Sequence, residues 1–184
     1  MVEIRPLALE GVLEIVPARH EDERGYFSET YNAQALARHG TDIVFVQDNH
    51  SLSHQAGVLR GLHFQLPPFA QAKLLRVTRG RIYDVAVDIR KKSATFGQWV
   101  GLELSAEKWS QVLVPIGYAH GFVTLEPDTE VLYKVSASYS RDHDRGIRFD
   151  DPDIDIAWPI DQDAIILSDK DRAAPFLSEI ETGF

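Results

Sequence analysis

Between Arg81 and Ile89 the chain alternates with period two, Tyr83, Val85, Val87 and Ile89 falling on one face and Ile82, Asp84, Ala86 and Asp88 on the other. Side chains of an extended segment point alternately to the two faces of a sheet, so this stretch reads as a strand. Similar short runs, rich in β-branched and aromatic residues, recur at 12–16, 43–47, 72–79, 98–104, 111–114, 121–125 and 130–136. Between them stand turn formers such as Pro67-Pro68, Arg79-Gly80 and Pro115-Ile116-Gly117. Regular short strands with this punctuation predict a sandwich or barrel. Helices are few: Asn32 can cap a helix over 33–39 with Gly40 just past its end, and Ser168-Asp169-Lys170-Asp171 resembles a capping box opening a C-terminal helix. Residues 140–145 are polar and charge-rich and read as a surface loop.

The 184 residues suit one domain, and no repeat or long linker divides residues 1–184. A hydrophobic share of 44% against 26% charged is ordinary for a chain with a packed core. With 19 Lys and Arg against 28 Asp and Glu, the net charge of −9 repels a phosphate backbone and argues against nucleic-acid binding, while leaving room for a local basic pocket. There is no cysteine, hence no disulfide, thiolate nucleophile or thiolate metal site. The longest uncharged stretch, 109–125, is too polar for a membrane span, and Met-Val-Glu-Ile-Arg lacks the apolar centre of a signal peptide, so a soluble, cytoplasmic protein is expected.

Four clusters could carry chemistry. In residues 57–65 two glycines bracket Arg60, and His63 follows in otherwise apolar sequence. This is either a core histidine bonded to a carbonyl with Arg60 paired at the surface, or a base beside an anion-binding arginine. Strict alternation places Arg60 and His63 on opposite faces, so sharing a pocket requires a bulge at Gly61. Lys73, after the double proline, is either solvated or turned back toward His63 by a hairpin. His120 lies in the glycine-flanked run 117–122, and Tyr133 shares parity with Val131 and Val135. Phosphate-cradling, nucleophile-elbow and dinucleotide fingerprints are absent from the sequence. A metal site is also disfavoured: Gln65, not a second histidine, follows His63 at two positions, and Lys73 would repel a divalent cation.

The segments 22–29, 47–51, 57–65, 70–73, 84–90, 95–97, 117–122 and 167–171 together resemble the dTDP-4-dehydrorhamnose 3,5-epimerase family, metal-free members of the cupin group, over nearly the whole chain. The resemblance implies a mainly β, cupin-type jelly-roll barrel with a few short helices, no cofactor, and a homodimer in which the N-terminal region contributes across the interface. It implies dTDP-4-dehydro-6-deoxy-D-glucose as substrate and inversion at the carbons flanking the C4 ketone. His63 would be the base, Asp169 the carboxylate orienting it, Tyr133 the acid on the opposite face and Lys73 the cation stabilising the enolate oxygen. Substrate would be gripped by Arg24, Phe27, Glu29, Gln47, Asn49, Arg60, His120, Tyr139 and Asp144, with Arg24 and Arg60 suited to the diphosphate and Phe27 or Tyr139 to stacking on thymine.

Three other readings compete. A relative inverting a single carbon of another dTDP-linked keto sugar would keep the same fold. A metal-dependent cupin oxygenase would need the histidine that Gln65 replaces. A non-catalytic sugar-binding barrel would need no base, orienting carboxylate, cation and acid in one chain.

Overall fold

A computed structural model describes residues 2–184. The strands are β1 (Glu3–Pro6), β2 (Leu13–Val16), β3 (His20–Asp22), β4 (Gly25–Phe27), β5 (Gln47–Ser53), β6 (Leu59–Gln65), β7 (Lys73–Arg79), β8 (Arg81–Asp88), β9 (Trp99–Ser105), β10 (Gln111–Val114), β11 (Tyr118–Thr124), β12 (Thr129–Val135) and β13 (Asp144–Gly146). Two short helices, α1 (Ala33–Ala37) and α2 (Asp169–Arg172), accompany them. One sheet has the order β1-β2-β10-β7-β12-β5 and the other β13-β6-β11-β8-β9, every pairing antiparallel. β3 and β4 form a separate hairpin. The two sheets face each other as a cupin-type jelly roll, the fold class expected from the sequence.

Three apolar layers hold it together, and each is the buried parity of some strands. Between the sheets lie Leu75, Val77, Ile82, Ala86, Val112, Phe122 and Val131. The opposite parity of the five-stranded sheet, with Leu59, Leu62, Phe64, Val85, Val87 and Val123, is covered by Ile147, Ile154, Ile156, Trp158 and Leu177 of the C-terminal segment. β8 is therefore buried on both faces, which is why its alternation is so apolar. On the outside of the six-stranded sheet, Ile15, Leu74 and Leu113 are covered by Leu36 of α1 with Tyr31, Ile43 and Phe45.

Some boundaries differ from expectation. The run at 43–47 joins the sheet only at Gln47, because Ile43 and Phe45 pack onto the sheet's outer face. β5 itself is polar: as an edge strand between a cavity and solvent it needs no apolar alternation. α1 stops at Ala37, with Asn32 capping it by accepting from the Ala35 amide at 3.0 Å. The expected loop at 140–145 runs into β13, which pairs with β6. No helix among the described residues is long and apolar enough to cross a membrane.

Candidate active site

The barrel opens beside β6, and the parity of that strand decides what the opening contains. Leu59, Leu62 and Phe64 all pack into the layer behind the five-stranded sheet, although 59 and 62 differ in parity. The ladder with β11 shows the reason: Phe122 faces Arg60 and His120 faces His63, so β6 carries one more residue than its partner, a bulge at Gly61. Gly61 sits at φ +142°, and a Cβ there would lie 2.5 Å from the Gly121 Cα. Only glycine fits. The bulge turns both Arg60 and His63 into a cavity of about 390 Å³, lined also by Lys73, His120, Tyr133, Ser168, Lys170 and Asp171.

His63 Nε2 lies 2.5 Å from Asp171 Oδ1. Asp169, the carboxylate expected there, is exposed and makes no such contact. The correction follows from helix geometry: Ser168 caps α2 by accepting from the Asp171 amide at 3.1 Å, and residues 169 and 171 lie roughly 200° apart around a helix. One faces solvent, so the other faces His63. Burial pushes the Asp171 carboxyl up, but the bond and charge of His63, with Ser168 and Lys170, more than offset this and leave it below the usual carboxylate range.

Lys73 is buried, not solvated, and donates from Nζ to the His63 carbonyl at 3.1 Å. Desolvation pushes its pKa down to about 8, against the pull of Asp84 and Asp144. His120 is buried with Nε2 2.8 Å from Asp84 Oδ2, and its ring lines the cavity. Tyr133 projects from β12 in the opposite sheet, so it faces His63 across the cavity. Burial raises its hydroxyl pKa, partly countered by the charge of Arg60. Arg60 forms no ion pair among the described residues; its guanidinium rests on Ser53 Oγ and the Leu52 carbonyl at 3.3 Å, leaving charge at the rim.

Toward its mouth the cavity continues past Gln47, Asn49, Tyr139, Asp144 and Lys170. Gln47 donates to Asn49, and the Tyr139 hydroxyl to Asp144, which also pairs with Lys170. Arg24, Phe27 and Glu29 are not brought here. Arg24 pairs with Asp22, Phe27 is 71% exposed, and Glu29 accepts from Asn32 beside α1. They stand on or just after the β3–β4 hairpin, outside the lining of the His63 cavity.

A base held by a carboxylate, a buried ammonium beside it and a hydroxyl on the facing sheet suit proton exchange next to a carbonyl. Residues 6–179 match the profile of the family described as dTDP-4-dehydrorhamnose 3,5-epimerase. The chain belongs to that family. A relative of that name from Sinorhizobium fredii is 51% identical over 178 residues, 97% of this chain and 91% of its own. The crystal structure of the Bacillus anthracis enzyme of that name, with TDP and PPi bound, superposes with a TM-score of 0.92 at 48% identity, covering 96% of this chain and 99% of that one. A Legionella pneumophila 3,5-epimerase in complex with dTDP-4-keto-L-rhamnose superposes with a TM-score of 0.94 at 41% identity, covering 98% and 95%.

Within this epimerase scaffold, reasoning from sequence missed Asp171, Asp84 and Lys170 as lining or orienting groups. For Asp171 the sequence offered only the Ser-x-x-Asp cap, which sets Asp171 in the first turn of α2 without saying that its carboxylate meets His63. For Asp84 and Lys170 no local signal distinguishes them from other charges.

Proposed function

We propose that the chain is a dTDP-4-dehydrorhamnose 3,5-epimerase, converting dTDP-4-dehydro-6-deoxy-D-glucose to dTDP-4-dehydro-L-rhamnose. The observation that carries this reading is the position of His63 and Tyr133 on facing sheets across one cavity with Lys73 beside them. The C4 ketone acidifies the hydrogens on C3 and C5. His63 takes one of these protons, and the C–H electron pair moves into an enolate whose oxygen the Lys73 ammonium stabilises. Asp171 holds the imidazole ring and favours the imidazolium that forms. Tyr133 gives a proton to the opposite face of the same carbon; solvent then reprotonates the tyrosinate and takes the proton from the His63 imidazolium, so that both groups are reset. Repetition at the second carbon completes the double inversion.

The nucleotide would enter at the mouth, where Arg60 and Lys170 offer charge to the diphosphate and Tyr139 offers a ring to the base. We further propose a homodimer in which Arg24, Phe27 and Glu29 serve the cavity of a second copy. Their exposure on a hairpin that does not line the cavity of their own chain supports this.

Metal-stripped protein incubated with dTDP-4-dehydro-6-deoxy-D-glucose in deuterium oxide tests the reading by proton NMR. Deuterium should enter at both C3 and C5 with the L-rhamno product formed. Entry at one carbon alone would replace this reading with a single-site epimerase, and no entry would overturn it.

A further inference from the structure

Residues 137–140 follow β12, lie outside any strand, and carry Tyr139, whose side chain is largely exposed at the cavity mouth. A segment without ladder partners and with an exposed aromatic should be loose. Here it is held by three glutamines. Gln71 Nε2 donates to the Ala137 carbonyl at 2.8 Å, and Gln65 Nε2 to the Ser138 carbonyl at 3.2 Å. The Tyr139 amide donates to Gln47 Oε1 at 3.2 Å, and the Ser140 amide to Gln65 Oε1 at 2.7 Å. Four consecutive residues are thus fixed by amides arriving from β5, β6 and the turn before β7. Gln65 is buried, and its second amide proton goes to the Phe69 carbonyl at 2.7 Å, tying in the double-proline turn as well.

These bonds fix the backbone that carries the Tyr139 ring before a planar ligand arrives. Ordering a free loop on binding would subtract from affinity, and an amide on each side of Tyr139 removes that cost beforehand. We propose that Gln65 and Gln71 are positioning residues that act through Tyr139, presetting its ring for the base of the bound nucleoside diphosphate. Gln65 thereby has a task of its own at the place where a metal-binding cupin would carry its second histidine. The proposal rests on the reading that Tyr139 meets the base of a dTDP-linked substrate.

The test is a double-mutant cycle on dTDP affinity by calorimetry, with KM and kcat measured alongside. Tyr139→Ala should weaken dTDP binding by at least about fivefold, the low end for losing one aromatic–base stack. Gln65→Met and Gln71→Met should each weaken binding and raise KM by about threefold or more, with kcat within about twofold, and should add nothing in the Tyr139→Ala background. Gln71→Met removes only one observed bond, and so stays informative if Gln65→Met does not fold. Multiplying penalties in the cycle would show that the glutamines touch the ligand or act on the fold generally, and would overturn the proposal. So would a loss confined to kcat. An unchanged dTDP affinity in Tyr139→Ala would overturn the base-contact reading and the proposal together. Wild-type protein that fails to bind dTDP would instead point to the wrong nucleotide.

Discussion

Lys73 keeps an ammonium where little water reaches it, and its effect on stability can be signed. With a folded pKa near 8 against an ordinary 10.5, the charged form is disfavoured by folding. The penalty, on the order of 3 kcal/mol, is complete below pH 8 and relieved between pH 8 and 10.5, where the unfolded chain still holds the proton. Lys73→Met should therefore raise the melting temperature at pH 7 by up to roughly 6–12 °C, at roughly 2–4 °C per kcal/mol, with the gain shrinking toward pH 10. The same change should cut kcat by about a hundredfold or more if the cation stabilises an enolate. In the wild type, kcat/KM should fall above about pH 8 as the ammonium of the free enzyme deprotonates; a flat profile to pH 10 would mean that the charge is not needed. Asp171 and Asp169 allow a paired comparison. Asp171→Asn should lower kcat/KM by about 10²–10⁴, up to the full range for general-base catalysis, because His63 would lose the carboxylate that fixes its tautomer and favours its imidazolium, whereas Asp169→Asn should change it less than threefold. Equal effects would deny Asp171 its place beside His63.

At the scale of elements, the site depends on one inserted residue in β6. Without the bulge, His63 and Gln65 would turn into the layer now filled by Leu62 and Phe64, and the base would leave the cavity. Gly61→Ala should cost roughly 1–3 kcal/mol from backbone conformation alone, and more from the clash with Gly121. Activity should be lost along with it; a soluble, fully active Gly61→Ala protein would show that close contact with Gly121 is not what sets the register. The sequence displayed the conflict, since Arg60 and His63 carry opposite parity, and named the glycine able to resolve it. It could not tell that the extra residue sits between two cross-strand pairs with His120 and Phe122. β5 was less legible still, because an edge strand over a polar cavity has no apolar rhythm to read.

For the whole molecule, the distribution of the residues expected to grip the substrate is the informative feature. Arg60, Gln47, Asn49, Tyr139 and Asp144 line one continuous cavity, while Arg24, Phe27 and Glu29 stand elsewhere. If a second copy receives them, two inactive proteins should repair one another. Mixing His63→Ala with an Arg24→Ala/Phe27→Ala variant, after dissociation and reassembly, should regain about a quarter of wild-type activity, because half the dimers would carry one site free of both changes. Recovery of nothing, with light scattering reporting monomers, would confine the site to a single chain.

Strand rhythm and turn residues were enough to determine a sheet-built barrel, because parity and turn chemistry act over only a few residues, whereas the roles expected of His63, Lys73 and Tyr133 came from the family resemblance and not from rhythm or spacing. Which carboxylate meets His63, that Lys73 is dry, and that three glutamines lock the segment bearing Tyr139 were decided by tertiary structure. Each joins residues from 10 to 108 positions apart, as in Lys73 with His63 and His63 with Asp171. Burial and hydrogen-bond pairing across such distances leave no periodic trace in the chain; they arise only when the sheets close on one another.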